Sequence, residues 1–127
     1  MNNFKFLEVR NGHLQINDWH GNDQQKFRIL MENGAYIFKT ADGDVLHVHK
    51  GSKSNDAEIK AGKNFDHGSS LFYLNRANHD FSGKCFTINT HCGKALDISG
   101  GSTKNHTKVI QYDSHGGPNQ IWFIVSA

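Results

Sequence analysis

The stretch Gly93-Lys94-Ala95-Leu96-Asp97-Ile98, continued by Val109-Ile110-Gln111-Tyr112-Asp113-Ser114-His115-Gly116-Gly117-Pro118-Asn119-Gln120-Ile121-Trp122, decides how the whole chain is read. An acidic residue closes a short apolar strand, a Gly-rich loop follows, and an aromatic strand leads through a turn into Asn-Gln-x-Trp. The rest of the chain reads as altered copies of the same unit.

Self-similarity at a fixed period constrains architecture more tightly than any single strand does. Shifted by fifty residues, Phe86-Thr87-Ile88-Asn89-Thr90 lies over Tyr36-Ile37-Phe38-Lys39-Thr40, and Leu96-Asp97-Ile98 over Leu46-His47-Val48. The overlay continues without a gap through Asn105 on Asn55 and Val109 on Ile59 to Trp122-Phe123-Ile124 on Phe72-Tyr73-Leu74. The first part matches in two blocks. Lys5-Phe6-Leu7-Glu8-Val9 falls on Lys94-Ala95-Leu96-Asp97-Ile98, and Asp18-Trp19-His20-Gly21 with Gln25-Lys26-Phe27 falls on Asp113-Ser114-His115-Gly116 with Gln120-Ile121-Trp122. Between these blocks the first copy is six residues shorter, and it lacks the opening strand of the other two.

Local composition agrees with an all-β chain. Gly occurs 13 times and Pro once, and no window of a dozen residues carries apolar side chains at helical spacing. Short β-branched and aromatic runs alternate with turn residues, as where Asp42-Gly43 separates Tyr36–Thr40 from Val45–Val48. The spacing predicts about eleven strands in a single domain over 1–127, with repeats near 1–33, 34–83 and 84–127. Each unit has only one row of inward side chains to bury. Three of them are expected to close around a pseudo-threefold axis, with Phe27, Phe72 and Trp122 as equivalent core residues and Leu7, Leu46 and Leu96 as a second layer.

Charge and cysteine content exclude several functions. A formal net charge of +2, with no clustering of Lys and Arg, does not announce nucleic acid. No apolar run is long enough to insert in a membrane, and Met1-Asn2-Asn3-Phe4-Lys5 does not open a secretory signal. The expectation is a secreted chain in its processed form, with a cytoplasmic one as the alternative. Cys85 and Cys92 are seven residues apart, roughly 23 Å along a straight strand, whereas a disulfide needs Cα atoms within about 7 Å. They pair only across a tight bend; otherwise they are free or join another chain, and no second Cys pair completes a zinc site.

Three repeats ending in Gln25-Lys26-Phe27, Ser70-Leu71-Phe72 and Gln120-Ile121-Trp122 resemble the ricin-B-type (R-type) lectins, whose fold is the β-trefoil. The likeness spans essentially the whole chain and is strongest in the third repeat. It implies a shallow sugar pocket in which Asp97 takes two hydroxyls, Tyr112 stacks on the pyranose and Asn119 completes the hydrogen bonding, with Gln120 buttressing the Asp. Galactose, GalNAc and GlcNAc head the implied sugars. Many such domains carry a disulfide inside each repeat; here those places are Ala95 and Ser114.

Elementary chemistry agrees with these roles. A sugar has a polar rim and a weakly apolar face, so it needs a flat aromatic surface with fixed donors and acceptors. Gly100 and Gly101 are expected to let backbone N–H groups approach the ligand, and His115 to reach the sugar rim. In the second repeat the three pocket positions become His47, Gly62 and Ser69, which predicts no site. In the first they become Glu8, Asn17 and Gln24, a pocket expected to be dead apart from a surface at Trp19.

The expected function is glycan binding by one pocket per chain, multivalent and agglutinating through a dimer that Cys85 or Cys92 could bridge. No cofactor, metal or enzymatic activity is expected. His47 and His49 share a strand face but lack a third ligand for a metal. The contrasting reading rests on nine histidines: a pH-responsive or protein-interaction scaffold, similar to the His-rich, actin- and membrane-associated trefoils. Asn105-His106-Thr107 fits an N-glycosylation sequon.

Overall fold

A computed structural model describes residues 5–77 and 83–125; residues 1–4, read above for a signal sequence, lie outside them. The first repeat supplies β1 (Phe6–Arg10), β2 (His13–Asn17) and β3 (Arg28–Glu32). The second supplies β4 (Ala35–Lys39), β5 (Val45–Val48), β6 (Ile59–Gly62) and β7 (Tyr73–Arg76), and the third β8 (Cys85–Asn89), β9 (Ala95–Ile98), β10 (Val109–Tyr112) and β11 (Trp122–Phe123). Between them stand only short 3-10 turns among the described residues.

Strand order is β1-β2-β6-β5-β4-β3 in one sheet and β10-β9-β8-β11 in the other, with β7 also on β8. Three strands close the ring. His13 of β2 lies opposite Lys60 of β6, while Glu58 bridges Ile110 and Gln15 bridges Lys108. Each repeat thereby touches the other two at equivalent positions, which makes the arrangement a β-trefoil.

Turn chemistry explains where the strands reverse. Asn33 and Gly34, both at positive φ, join β3 to β4, a pair that a two-residue hairpin of this twist requires. The Asp42-Gly43 turn appears as expected, closed by Gly43 N–H on Thr40 O at 3.0 Å. Gly93 N–H repeats that bond on Thr90 O at 2.9 Å in the third repeat.

The core follows the alternation of the strands. Phe72, Leu46, Leu96, Ile59 and Val109 are fully buried, and Trp122 nearly so. Phe38 meets Phe72 edge-on with ring centroids 5.6 Å apart. Phe27 departs from the expected equivalence and is only partly buried, as is Leu7. The reason is local: Tyr36 bridges Phe72 and Phe86 pairs with Trp122, but no described strand precedes the first repeat to cover Phe27.

Among the described residues neither Cys85 nor Cys92 is in a disulfide. The Cys92 thiol points into the fold, 3.6 Å from Gln111 Oε1. Gln111 itself is buried and donates its amide to the carbonyls of Ser52 and Ser54, each at 2.9 Å, which fastens the second repeat's loop to the third repeat.

Candidate functional site

In the third repeat β9 and β10 run antiparallel with Asp97 opposite Ile110 and Ala95 opposite Tyr112. Opposed residues share a face and alternate ones repeat it. Asp97 and Tyr112 therefore stand on the outer face, while Leu96 and Gln111 point inward. Tyr112 is 38 % exposed and Asp97 only 4 %. One is placed to offer a surface, and the other is a buried carboxylate that must be hydrogen-bonded.

Residues 113–121 fold back over this face and supply those bonds. Asn119 Nδ2 donates to Asp97 Oδ1 at 2.9 Å, and Gln120 Nε2 donates to Asp97 Oδ2 at 2.8 Å. Gln120 also donates to Asp113 O at 2.8 Å, and its Oε1 accepts the backbone N–H groups of His115 and Gly116 at 2.8 and 3.2 Å. Every donor and acceptor of this fully buried amide is thus used. Each Asp97 oxygen accepts one amide bond, and a carboxylate oxygen has two lone pairs. Acceptor capacity remains for a ligand.

His115 sits at the mouth. Its Nδ1 accepts the Gly117 N–H at 2.9 Å, which puts the proton of the neutral ring on Nε2. That Nε2 lies 3.8 Å from Asp97 Oδ2. Gly117 is needed for this placement, because a Cβ there would stand 2.8 Å from the His115 ring. The sequence reading passed over Gly117, and equally the clamp of Lys94 on Asp113 at 2.7 Å with Asn55 at 3.1 Å on the same carboxylate. That bond holds the start of the loop, lowers the Asp113 pKa and raises that of Lys94.

The structure brings Asp97, Asn119, Gln120 and His115 together and sets Tyr112 on the same face. No described side-chain contact ties Gly100 or Gly101 to them. Both are left-handed, at φ 64°, and Lys50 and Gly51 take the same turn in the second repeat at 56° and 62°. Their conformation belongs to the fold of the connection.

The first repeat reproduces the frame with a different filling. Gln25 Oε1 accepts the N–H groups of His20 and Gly21, and its Nε2 donates to Asp18 O at 2.7 Å. Lys5 holds Asp18 at 2.7 Å, and Asn105 holds it at 2.9 Å, so the sequon asparagine braces two repeats. Glu8, however, accepts Gln15 Nε2 at 2.6 Å, Asn17 Nδ2 at 3.1 and 3.2 Å, and lies 2.5 Å from His20 Nε2. Burial pushes the Glu8 pKa up, but the bonds from His20, Gln15 and Asn17 and the charge of His20 outweigh it, and the net shift is downward. Trp19 stands 50 % exposed against Phe6, centroids 5.0 Å apart.

The second repeat carries no carboxylate at this position. His47 is buried and stacks on Phe65 with centroids 5.1 Å apart, and a Cβ on Gly62 would lie 3.7 Å from its ring. Ser69 and Ser70 donate their hydroxyls to Asp66 O and His67 O. Among the described residues no group of three His, Cys, Asp or Glu side chains is placed to hold a metal.

Three equivalent strand units about one axis define a β-trefoil, and on the outer face of the third a carboxylate is held by a Gln and an Asn amide. The family described as ricin-type beta-trefoil lectin domain-like matches residues 70–127. The chain as a whole has the β-trefoil fold, and its last 58 residues match that family. A designed three-fold symmetric protein, ThreeFoil, is 28 % identical with a TM-score of 0.86, over 97 % of this chain and 91 % of that one. The ricin B-like lectin of Macrolepiota procera, solved in complex with lactose, is 17 % identical with a TM-score of 0.79, over 92 % and 84 %. An exo-beta-1,3-galactanase from Clostridium thermocellum is 23 % identical with a TM-score of 0.84, over 98 % of this chain but 28 % of its own. No curated protein matches the chain.

Proposed function

We propose that the protein is a lectin that binds a galactose-, GalNAc- or GlcNAc-type sugar in the third repeat. The observation that carries the reading is the Asp97 carboxylate, buried, fixed by Asn119 and Gln120 and lying on the face that exposes Tyr112. Two amides hold the carboxylate so that its remaining lone pairs meet paired sugar hydroxyls without reorganisation, and charge-assisted bonds of this kind are the strong ones. Tyr112 offers its ring to the C–H face of the pyranose, and His115 Nε2–H is a donor at the rim. The family match and the lactose complex of the Macrolepiota procera lectin support a sugar as the ligand class.

This is a binding module and not an enzyme in our reading, because both Asp97 oxygens accept from amides and serve as fixed acceptors. A single shallow pocket binds weakly, and avidity on a glycan-covered surface then comes from oligomerisation. A glycan array followed by calorimetry tests the function. The parent is expected to bind, and Asp97→Ala to lose binding while keeping its fold. Binding that survives Asp97→Ala removes the site assignment, and no glycan binding by the parent removes the lectin reading.

A further inference from the structure

A cavity of about 310 Å³ opens between the first and third repeats, lined by Arg10, Asn11, His13, Gln15, His106 and Lys108. Its origin is the shortened first repeat. There β1 turns directly into β2 through Asn11 and Gly12, both at positive φ, whereas β5 and β6, and β9 and β10, are separated by residues 49–58 and 99–108. The space is of the size that small-molecule sites occupy.

Its charge is unlike that of the equivalent sectors. His13, Glu58 and Lys108 hold the same register position in β2, and at the starts of β6 and β10. His106 and Asp56 are likewise equivalent, at φ 70° and 71°. The other two sectors therefore have Asp56 and Glu58 among their lining positions, while the sector between the first and third repeats is lined by no carboxylate.

The acid behind the cavity is already shared. Glu58 Oε1 accepts Lys108 Nζ at 2.5 Å, and Glu58 Oε2 lies 3.4 Å from His13 Nδ1 and 4.0 Å from Lys60 Nζ. Arg10, Lys60 and Lys108 against this one carboxylate leave an excess of positive charge before either histidine protonates. His13 Nδ1 is buried without a hydrogen bond, and among the described residues no side-chain partner is recorded for the Arg10 guanidinium or the His106 ring. Unspent donors around a concave basic pocket focus potential on an anion.

We infer that this cavity is a second binding site, for an oxyanion group, the sulfate or phosphate ester of a sugar. Arg10 supplies the planar fork that matches such a group, and Lys108 supplies a point charge. His106 presents its ring to the ligand, His13 lines the wall with its Nδ1 turned to Glu58, and Asn11 faces the uncharged remainder. The inference does not rest on the third-repeat pocket, whose residues are not in this lining.

NMR of the histidine ring protons tests it, with inorganic sulfate, inorganic phosphate, galactose 6-sulfate and galactose 6-phosphate as probes, and galactose and chloride as controls. Saturable shifts of His13 and His106 are expected with the oxyanions and not with chloride. Arg10→Gln should weaken the binding about tenfold, the loss of roughly one charge-assisted bond, and Asp97→Ala should leave it unchanged. Whichever ester binds more tightly identifies the source of the anion. The inference fails if no oxyanion gives a saturable shift, if chloride reproduces it, or if a variant carrying both Arg10→Gln and His106→Gln, folded by circular dichroism, still binds as the parent does.

Discussion

His20 Nε2 lies 2.5 Å from Glu8 Oε1, whereas the equivalent pair in the third repeat, His115 Nε2 and Asp97 Oδ2, stands 3.8 Å apart. The two loops share a frame, since Gln25 and Gln120 accept the same pair of backbone N–H groups, but only Gln120 also donates to its repeat's carboxylate. The contrast comes from length and from neighbours: Glu8 is one methylene longer than Asp97, and Gln15 and Asn17 stand where the third repeat has Ile110 and Tyr112. The longer Glu8 side chain reaches Gln15, Asn17 and His20 and spends its acceptors inside the protein, while the shorter Asp97 keeps lone pairs for a ligand.

The engaged Glu8 has a consequence for acid stability. Its pKa is below the ordinary 4.5, so its contribution is fully present above about pH 4.5 and is lost as pH falls through the lower folded value. The Glu8→Gln variant is expected to be less stable than the parent near neutral pH and to lose less on acidification. Thermal melts across pH 2–7 would check this, and parallel curves for the two proteins would contradict it.

Gln120 satisfies Asp97, Asp113 O and two backbone N–H groups from a fully buried position. Gln120→Ala strands several polar groups at once, each costing about 1–3 kcal/mol when left unpaired. Urea denaturation should show a loss of about 2–4 kcal/mol.

Trp122 and Phe27 are sequence equivalents with different burial. Trp122→Ala should cost about 3–5 kcal/mol. Phe27→Ala should cost about 1–3 kcal/mol, because less of its ring leaves water on folding. Equal losses in denaturant titrations would show that Phe27 is covered in solution as fully as Trp122.

Tyr112 tests the stacking surface apart from the fold. Being exposed, it should tolerate Tyr112→Ala with a change in stability of less than about 1 kcal/mol. Sugar affinity should fall about tenfold by calorimetry, the loss of one aromatic face. An unchanged affinity would place the ligand elsewhere.

Much of the architecture was legible because a trefoil writes its symmetry into the chain. The fifty-residue register aligned β4 to β7 with β8 to β11 and marked Leu96 as a core position, but the inward turn of polar Gln111 beside apolar Ile110 was not legible. Gly100 and Gly101 could not be sorted in the same way, since a left-handed turn and a ligand contact both ask for glycine.

By itself, the sequence determined which residues repeat and that Asp97, Tyr112 and Asn119 occur together in one repeat. Only the tertiary structure decided which carboxylate is fully engaged and which keeps acceptor capacity, because that depends on whether Gln15, Asn17 and His20 converge on Glu8. It alone also decided that Arg10 and His13 meet His106 and Lys108 across nearly the length of the chain. Periodicity encodes the direction of a side chain, but the partner it finds there depends on how the three repeats close upon one another.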